Sequence, residues 1–251
     1  MKPLAQGFSW WCYADRGVAD EDLMAKARGI GYEAVDLIDE SLWPVAQKHG
    51  LRIAAVQGHD SIEDGLNRRE NAARIEAELR TKIEAAMKFE IPVLICFSGN
   101  RKGLDDEEGL VICAETLKRV APVAADSGVT LAVELLNSKV DHPDYQCDNT
   151  SWGVQLVDKI ESRNFKLLYD IYHMQIMEGN LINTLTTNIN HIGHIQIADV
   201  PKRSEPGSGE INFPNIFNAL RILGYTDYIG LEYFPINGTQ SGLAQVRSLL
   251  N

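Results

Sequence analysis

The chain has 251 residues, 45% hydrophobic and 24% charged, a length and balance that suit one soluble globular domain with a large core. Its formal net charge is −11 and its sequence pI about 5.0. A field of that sign repels a phosphate backbone, which disfavours nucleic acid as a partner, and no run is long and apolar enough to span a membrane.

The N-terminus, MKPLAQGFSWW, lacks the charged-then-apolar pattern of a secretory signal and runs straight into the first strand-like segment; a trimmed precursor would start the same way. Strand-like runs follow at GFSWWCY (7–13), EAVDLID (33–39), RIAAVQG (52–58) and PVLICFSG (92–99). They continue at TLAVELLN (130–137), FKLLYDIYH (165–173), HIGHIQIAD (191–199) and YIGLEYFP (228–235). Helix-like runs lie between them. Asn67 to Glu90 puts Ala72, Ile75, Leu79, Ile83, Ala86 and Met87 on one face, and Asp105 to Gly128 does the same with Leu110, Cys113, Leu117, Val120 and Val123. Asn149-Thr150-Ser151 offers caps for a helix through Leu156 and Ile160. Asn212 or Pro214 opens another, through Ile216, Phe217, Leu220 and Ile222 to Gly224. The last helix, Ser241 to Leu250, is short, so a homo-oligomer would help to cover the outside.

Eight strand runs separated by helical runs predict parallel strands with crossover helices: an α/β chain, a (β/α)8 TIM barrel formed as a single domain over 1–251. An open doubly wound sheet is the rival. It would carry GxGxxG after an early strand, whereas the only glycine-rich stretch here, Pro206-Gly207-Ser208-Gly209, follows the seventh run. Cys12, Cys96, Cys113 and Cys147 form no CxxC pair, which argues against a zinc knuckle or redox motif. A reducing, cytoplasmic setting is expected, with the periplasm as the alternative if a signal segment has been removed.

Four apolar runs carry a polar residue at or near their end: Glu134, Asp170, Gln196 and Glu232. Burying such groups among Val, Ile and Leu is costly unless a partner offsets the lost hydration. In a parallel barrel the strand ends converge at one mouth, where three acids and an amide can share one divalent cation. Taken singly, Glu134 and Glu232 read equally well as buried carboxylates paired with Lys or Arg, and Asp170 as a cap. The amide oxygen of Gln196 suits a hard cation, Mg2+ or Mn2+, better than zinc, although a glutamine in a strand also serves as a plain hydrogen-bond partner. His173 can touch a substrate oxygen or line the rim, and His59 can line the mouth. His191 and His194 are expected at the far end of the barrel in a structural role. The polar segment Asp199–Glu210, with Arg203, Glu205, Glu210 and two glycines, suits recognition of an anionic, hydroxylated small molecule. Trp10, Trp11, Tyr13 and Trp43 wall the pocket or fill the core.

At these residues the chain resembles the xylose-isomerase-like TIM-barrel superfamily, most of all its hydroxypyruvate isomerase branch. The likeness runs over essentially the whole chain and is most specific in LICFSGNRKG (94–103), VELLNSKVDHPDY (133–145), LLYDIYHMQIMEG (167–179), HIQIADVPKRSEPGSGEIN (194–212) and GLEYFP (230–235). The resemblance implies a divalent cation held by Glu134, Asp170, Gln196 and Glu232, with the two glutamates as acid–base pair. It also implies substrate contacts from His173 in DxYH and from Arg203 in the seventh-strand loop. Two departures stand out: VPKR replaces the VPGR common in the branch, so Lys202 adds a charge beside Arg203, and VELLNSKVDH replaces an EPIN-type segment. Both leave the four metal positions intact and bear on the substrate.

The resemblance implies isomerisation of a small hydroxy-keto acid, such as hydroxypyruvate to tartronate semialdehyde, through an enediolate. Competing readings are a ketose 3-epimerase, a dehydratase of an inosose-like compound, and a silent sugar-binding barrel. The barrel endonuclease needs more histidine ligands than this chain places at its strand ends.

Overall fold

Each apolar run of the sequence forms a short strand buried on both faces, as parallel strands covered by helices must be. The computed structural model describes residues 4–14, 17–236 and 238–250; the first three residues of the N-terminal reading lie outside these. The strands are β1 (Ala5–Ser9), β2 (Ala34–Asp36), β3 (Arg52–Gln57), β4 (Val93–Cys96), β5 (Thr130–Glu134), β6 (Phe165–Asp170), β7 (Ile192–Ile197) and β8 (Tyr228–Leu231). Each pairs in parallel with the next, and β8 closes on β1. The outer ring holds α1 (Asp20–Ile30), α2 (Trp43–Lys48), α3 (Ala72–Phe89), α4 (Asp106–Asp126), α5 (Thr150–Ile160), α6 (Ile171–Met177), α7 (Leu181–Asn188), α8 (Phe213–Ile222) and α9 (Thr239–Leu250). The closed eight-stranded barrel expected from the alternation is therefore present. No helix among the described residues is long and apolar enough to cross a membrane.

Local chemistry sets the element ends. Asp105 accepts the Glu107 and Glu108 N–H groups to start α4, and Asn149 accepts the Trp152 N–H to start α5. Ile75, Leu79, Ile83 and Ala86 bury one face of α3, while Met87, at the edge of that stripe, is 56% exposed. Ile222, at the end of α8, is likewise exposed rather than buried.

The strands are shorter than the apolar runs that predict them, and two runs turn directly into helices. The first run ends at Ser9 and turns as a 3-10 helix over Trp10–Cys12, which puts the Trp10 and Tyr13 rings in the core. The sixth run ends at Asp170, whose carboxylate accepts the His173 N–H at 3.1 Å and so starts α6. The aromatic and apolar residues Ile171, Tyr172 and His173 fit a strand or a helix equally well by pattern, and the cap decides. His194 lies inside the barrel, not at its far end: its Nε2 is 2.8 Å from Asp36 Oδ2. Because β2 and β7 are separated by two strands around the ring, that contact crosses the interior. Gly230 makes room for it, since a Cβ there would stand 2.0 Å from Asp36 Oδ2. His191, in the turn before β7, pairs with Asp158 at 3.1 Å.

Candidate active site

Residues two apart share one face of a strand, so the inward position of His194 carries Gln196 inward as well. Asp170 is the register partner of Gln196 across β6 and β7, and Gln196 pairs in turn with Gly230 on β8. Glu134 is the last residue of β5, and Glu232 follows β8 directly. All four are buried. Ligating atoms of Glu134, Asp170 and His173 lie within 4.8 Å of one another. Glu134, Glu232, His173 and Arg203 face a cavity of about 910 Å³, whereas Asp170 and Gln196 do not line it and remain buried.

Arg203 ties the mouth together. Its Nη2 is 2.8 Å from Glu232 Oε2 and 4.0 Å from Asp170 Oδ2. Its guanidinium lies between the Trp11 and Tyr172 rings, at 5.5 and 5.2 Å. Trp11 Nε1–H donates to the other oxygen of Glu232 at 2.8 Å. The loop that delivers Arg203 is built on Asp199. One carboxylate oxygen accepts the N–H groups of Val200 and Ile211, and the other accepts those of Gly207 and Gly209. The Phe234 N–H then holds the Arg203 carbonyl at 2.8 Å, with Arg203 itself at φ 50.

The electrostatics are those of acids crowded into a buried site. Burial and then the charges of Glu232 and Asp170 raise the Glu134 pKa well above the ordinary glutamate range. Burial and the Glu232 charge push Asp170 up to about 7, against the opposing pull of Arg203 and the His173 N–H. Burial, then the charges of Arg203 and His142, hold His173 well below the usual histidine range. Three ionised carboxylates against one guanidinium leave a charge of −2, which one divalent cation would cancel.

The donor chemistry fits such an ion. Asp170 Oδ2 and Gln196 Oε1 are buried with no hydrogen-bond partner, and carboxylate and amide oxygens are the ligands of a hard cation. The Gln196 Nε2 is 3.5 Å from Ser9 Oγ, leaving its carbonyl oxygen available. These atoms, with Glu134 and Glu232, are where a metal would be held.

The other expected site residues divide. His173 and Arg203 line the cavity. His59 lines it too, but the Phe97 N–H occupies its Nε2 and the Asp60 carbonyl takes its Nδ1, so it offers ring carbon and no free nitrogen. Glu205 is turned away: it is buried, it accepts the Ile236 N–H at 2.8 Å, and it does not line the cavity. Lys202 is exposed and does not join Arg203 there. Trp11 and Trp43 wall the cavity, while Trp10 and Tyr13 do not. Asn137, His142, Tyr172 and Asp199 also support the site, and no sequence signal marks the first three. Asp199 sits at the head of the long polar loop, the one signal that pointed towards it.

A family model described as xylose isomerase-like TIM barrel matches residues 24–249. A hydroxypyruvate isomerase of Escherichia coli is 35% identical over 173 residues, 67% of this chain and 67% of that protein. A 2-oxo-tetronate isomerase of Cupriavidus necator is 40% identical over 136 residues, which span 54% of this chain and 52% of the relative. Among solved structures, one described as an AP endonuclease, family 2, from Brucella melitensis superimposes with a TM-score of 0.88 at 25% identity, covering 97% of this chain and 98% of that one.

Proposed function

We propose, from the premise that this chain belongs to the xylose isomerase-like TIM barrel family, that it isomerises a small hydroxy-keto acid through an enediolate, with Glu134 and Glu232 as its acid–base pair. The observation that carries this reading is the pair of buried glutamates facing one cavity beside Arg203 and above two unpartnered oxygen ligands. Mg2+ or Mn2+ held by Glu134, Asp170, Gln196 and Glu232 would stabilise negative charge on the substrate's carbonyl and hydroxyl oxygens.

The chain's own groups do the rest. A glutamate takes the proton from the carbon that bears the hydroxyl, and the electron pair passes into the adjacent carbonyl to give the enediolate. Return of a proton to the former carbonyl carbon, with the hydroxyl proton passing between the two oxygens, completes the exchange. For hydroxypyruvate the product is tartronate semialdehyde. Arg203 presents its guanidinium to the cavity, where a substrate carboxylate or oxygen can meet it, and its pairing with Glu232 keeps that carboxylate oriented. His173 lines the same space, and its Nε2 is buried without a partner. Either one carboxylate shuttles the proton or the two divide the work, and the fraction of substrate hydrogen retained in product separates these cases.

The test is deuterium wash-in at the carbon next to the carbonyl, with hydroxypyruvate and 2-oxo-tetronate profiled against fructose and tagatose. Absence of both turnover and exchange with all of them would refute the enediolate. Glu134→Gln and Glu232→Gln should each abolish turnover, and a near-normal rate in either removes that residue from the pair. A ketose 3-epimerase is the second reading, favoured by the cavity, which at about 910 Å³ has room for longer sugars than a three-carbon acid.

A further inference from the structure

His173 has two ring nitrogens in different settings. Nδ1 faces Asn137 twice: the Asn137 backbone N–H donates to it at 3.2 Å, and the side-chain Nδ2 stands 2.6 Å away. The orientation of that amide is set by its own partners. Its Oδ1 accepts the Val140 and Asp141 N–H groups at 3.0 and 2.9 Å, while Nδ2 donates to Asp141 Oδ2 at 2.7 Å. Both groups aimed at Nδ1 are therefore donors. The nearest anion to Nδ1, Asp141 Oδ2, is 3.9 Å away, too far to accept a hydrogen bond. A nitrogen met only by donors is the unprotonated one, so the neutral ring carries its hydrogen on Nε2. Nε2 is buried without a partner, 3.9 Å from Asp170 Oδ2. The ring is fully buried, edge-on to His142 at 5.5 Å and Tyr172 at 5.1 Å, which opposes a flip that would exchange the nitrogens.

We infer that Asn137 is a positioning residue that fixes His173 as the Nε2–H tautomer, making it a hydrogen-bond donor to a substrate oxygen and keeping it out of the metal's ligand set. A metal ligand must offer a lone pair, and the usual partner behind a ligating histidine is an acceptor that takes the Nδ1 hydrogen. Here the partner is a donor, so polarity at Nδ1 dictates function at Nε2. The role as substrate donor rests on the isomerase reading above; the tautomer does not.

The experiment is long-range 1H–15N correlation of histidine-labelled protein, with the His173 signals assigned from their loss in His173→Gln. The metal-free protein should show a protonated-type Nε2 and an unprotonated Nδ1, and that pattern should persist when Mg2+ or Zn2+ is added to saturation. A hydrogen on Nδ1, or loss of the Nε2 hydrogen on adding either ion, overturns the inference. Asn137→Asp, combined with Asp141→Asn so that two carboxylates do not meet at 2.7 Å, keeps the shape but turns the side-chain donor into an acceptor. It should move the ring towards the Nδ1–H form and lower kcat/KM by about tenfold or more. A folded double variant that keeps the wild-type tautomer pattern refutes the control by Asn137. If that variant fails to fold, the wild-type spectra with and without metal still decide. The spectra need no turnover, so wash-in failing beside an intact tautomer pattern would sink the reaction and leave the positioning standing.

Discussion

Removing or adding the cation should change the protonation of the site, and the structure says by how much. In the metal-free barrel, burial and the Glu232 charge carry the Asp170 carboxyl from an ordinary 3.8 to about 7. That shift of about three units corresponds to about 4 kcal/mol of preference for the protonated form. The sign follows from linkage. A carboxyl whose folded pKa is raised stabilises the fold below its unfolded value, and the contribution is lost as pH rises through about 7. The metal-free protein should therefore lose thermal stability between about pH 4 and pH 7, by roughly 10 °C for a chain of this length. A bound divalent cation requires the ionised carboxylate, so binding must expel the proton. At pH 6 Asp170 releases about 0.9 of a proton, Glu134 adds to this because its pKa is also raised, and the Asp170 share falls to about 0.1 at pH 8. Titration calorimetry with Mn2+ or Mg2+ in two buffers of different ionisation enthalpy counts these protons directly. The Asp170 proton alone should make affinity strengthen about fivefold between pH 6 and 7, and Glu134 adds to this. Affinity that stays flat from pH 6 to pH 8, with no proton released at pH 6, would refute the placement of the cation on these carboxylates.

Other expectations test the supports of the site. Gly230→Ala would drive a Cβ to 2.0 Å from Asp36 Oδ2 and break the buried Asp36–His194 pair, a loss of about 3 kcal/mol or more in thermal or denaturant unfolding; an unchanged midpoint would show the barrel interior relaxes around it. Asp199→Ala strips the acceptor from four backbone N–H groups, so amide hydrogen exchange at Gly207 and Gly209 should rise steeply. The same variant should lower kcat/KM by about tenfold or more while metal affinity changes little, because Arg203 rides on that loop and the proposed metal positions do not. Equal losses in metal affinity would instead join the loop to the metal centre.

Much of the architecture was legible because its signals are local. Alternating apolar runs announced eight strands, and the expense of burying Glu134, Asp170, Gln196 and Glu232 marked four of them as unusual. The misplaced boundaries were also local ambiguities: Ile171-Tyr172-His173 fits either period until Asp170 caps it. Loop residues were another matter. Arg203, Glu205 and Lys202 belong to one polar stretch and look alike in sequence, yet Arg203 enters the cavity, Glu205 turns to the Ile236 N–H and Lys202 meets solvent.

By itself, then, the sequence determined the barrel and the four polar positions at its strand ends, since periodicity and desolvation depend only on a residue and its neighbours in the chain. Tertiary structure alone decided what those positions meet. It set Arg203 against Glu232, laid Asp36 across the interior to His194, and turned the donors of Asn137 onto His173. Such pairings join residues from 29 to 158 positions apart, and no local pattern encodes which nitrogen of a ring faces a donor. Closing the barrel brings them within hydrogen-bonding reach, and burial then makes each choice of partner count.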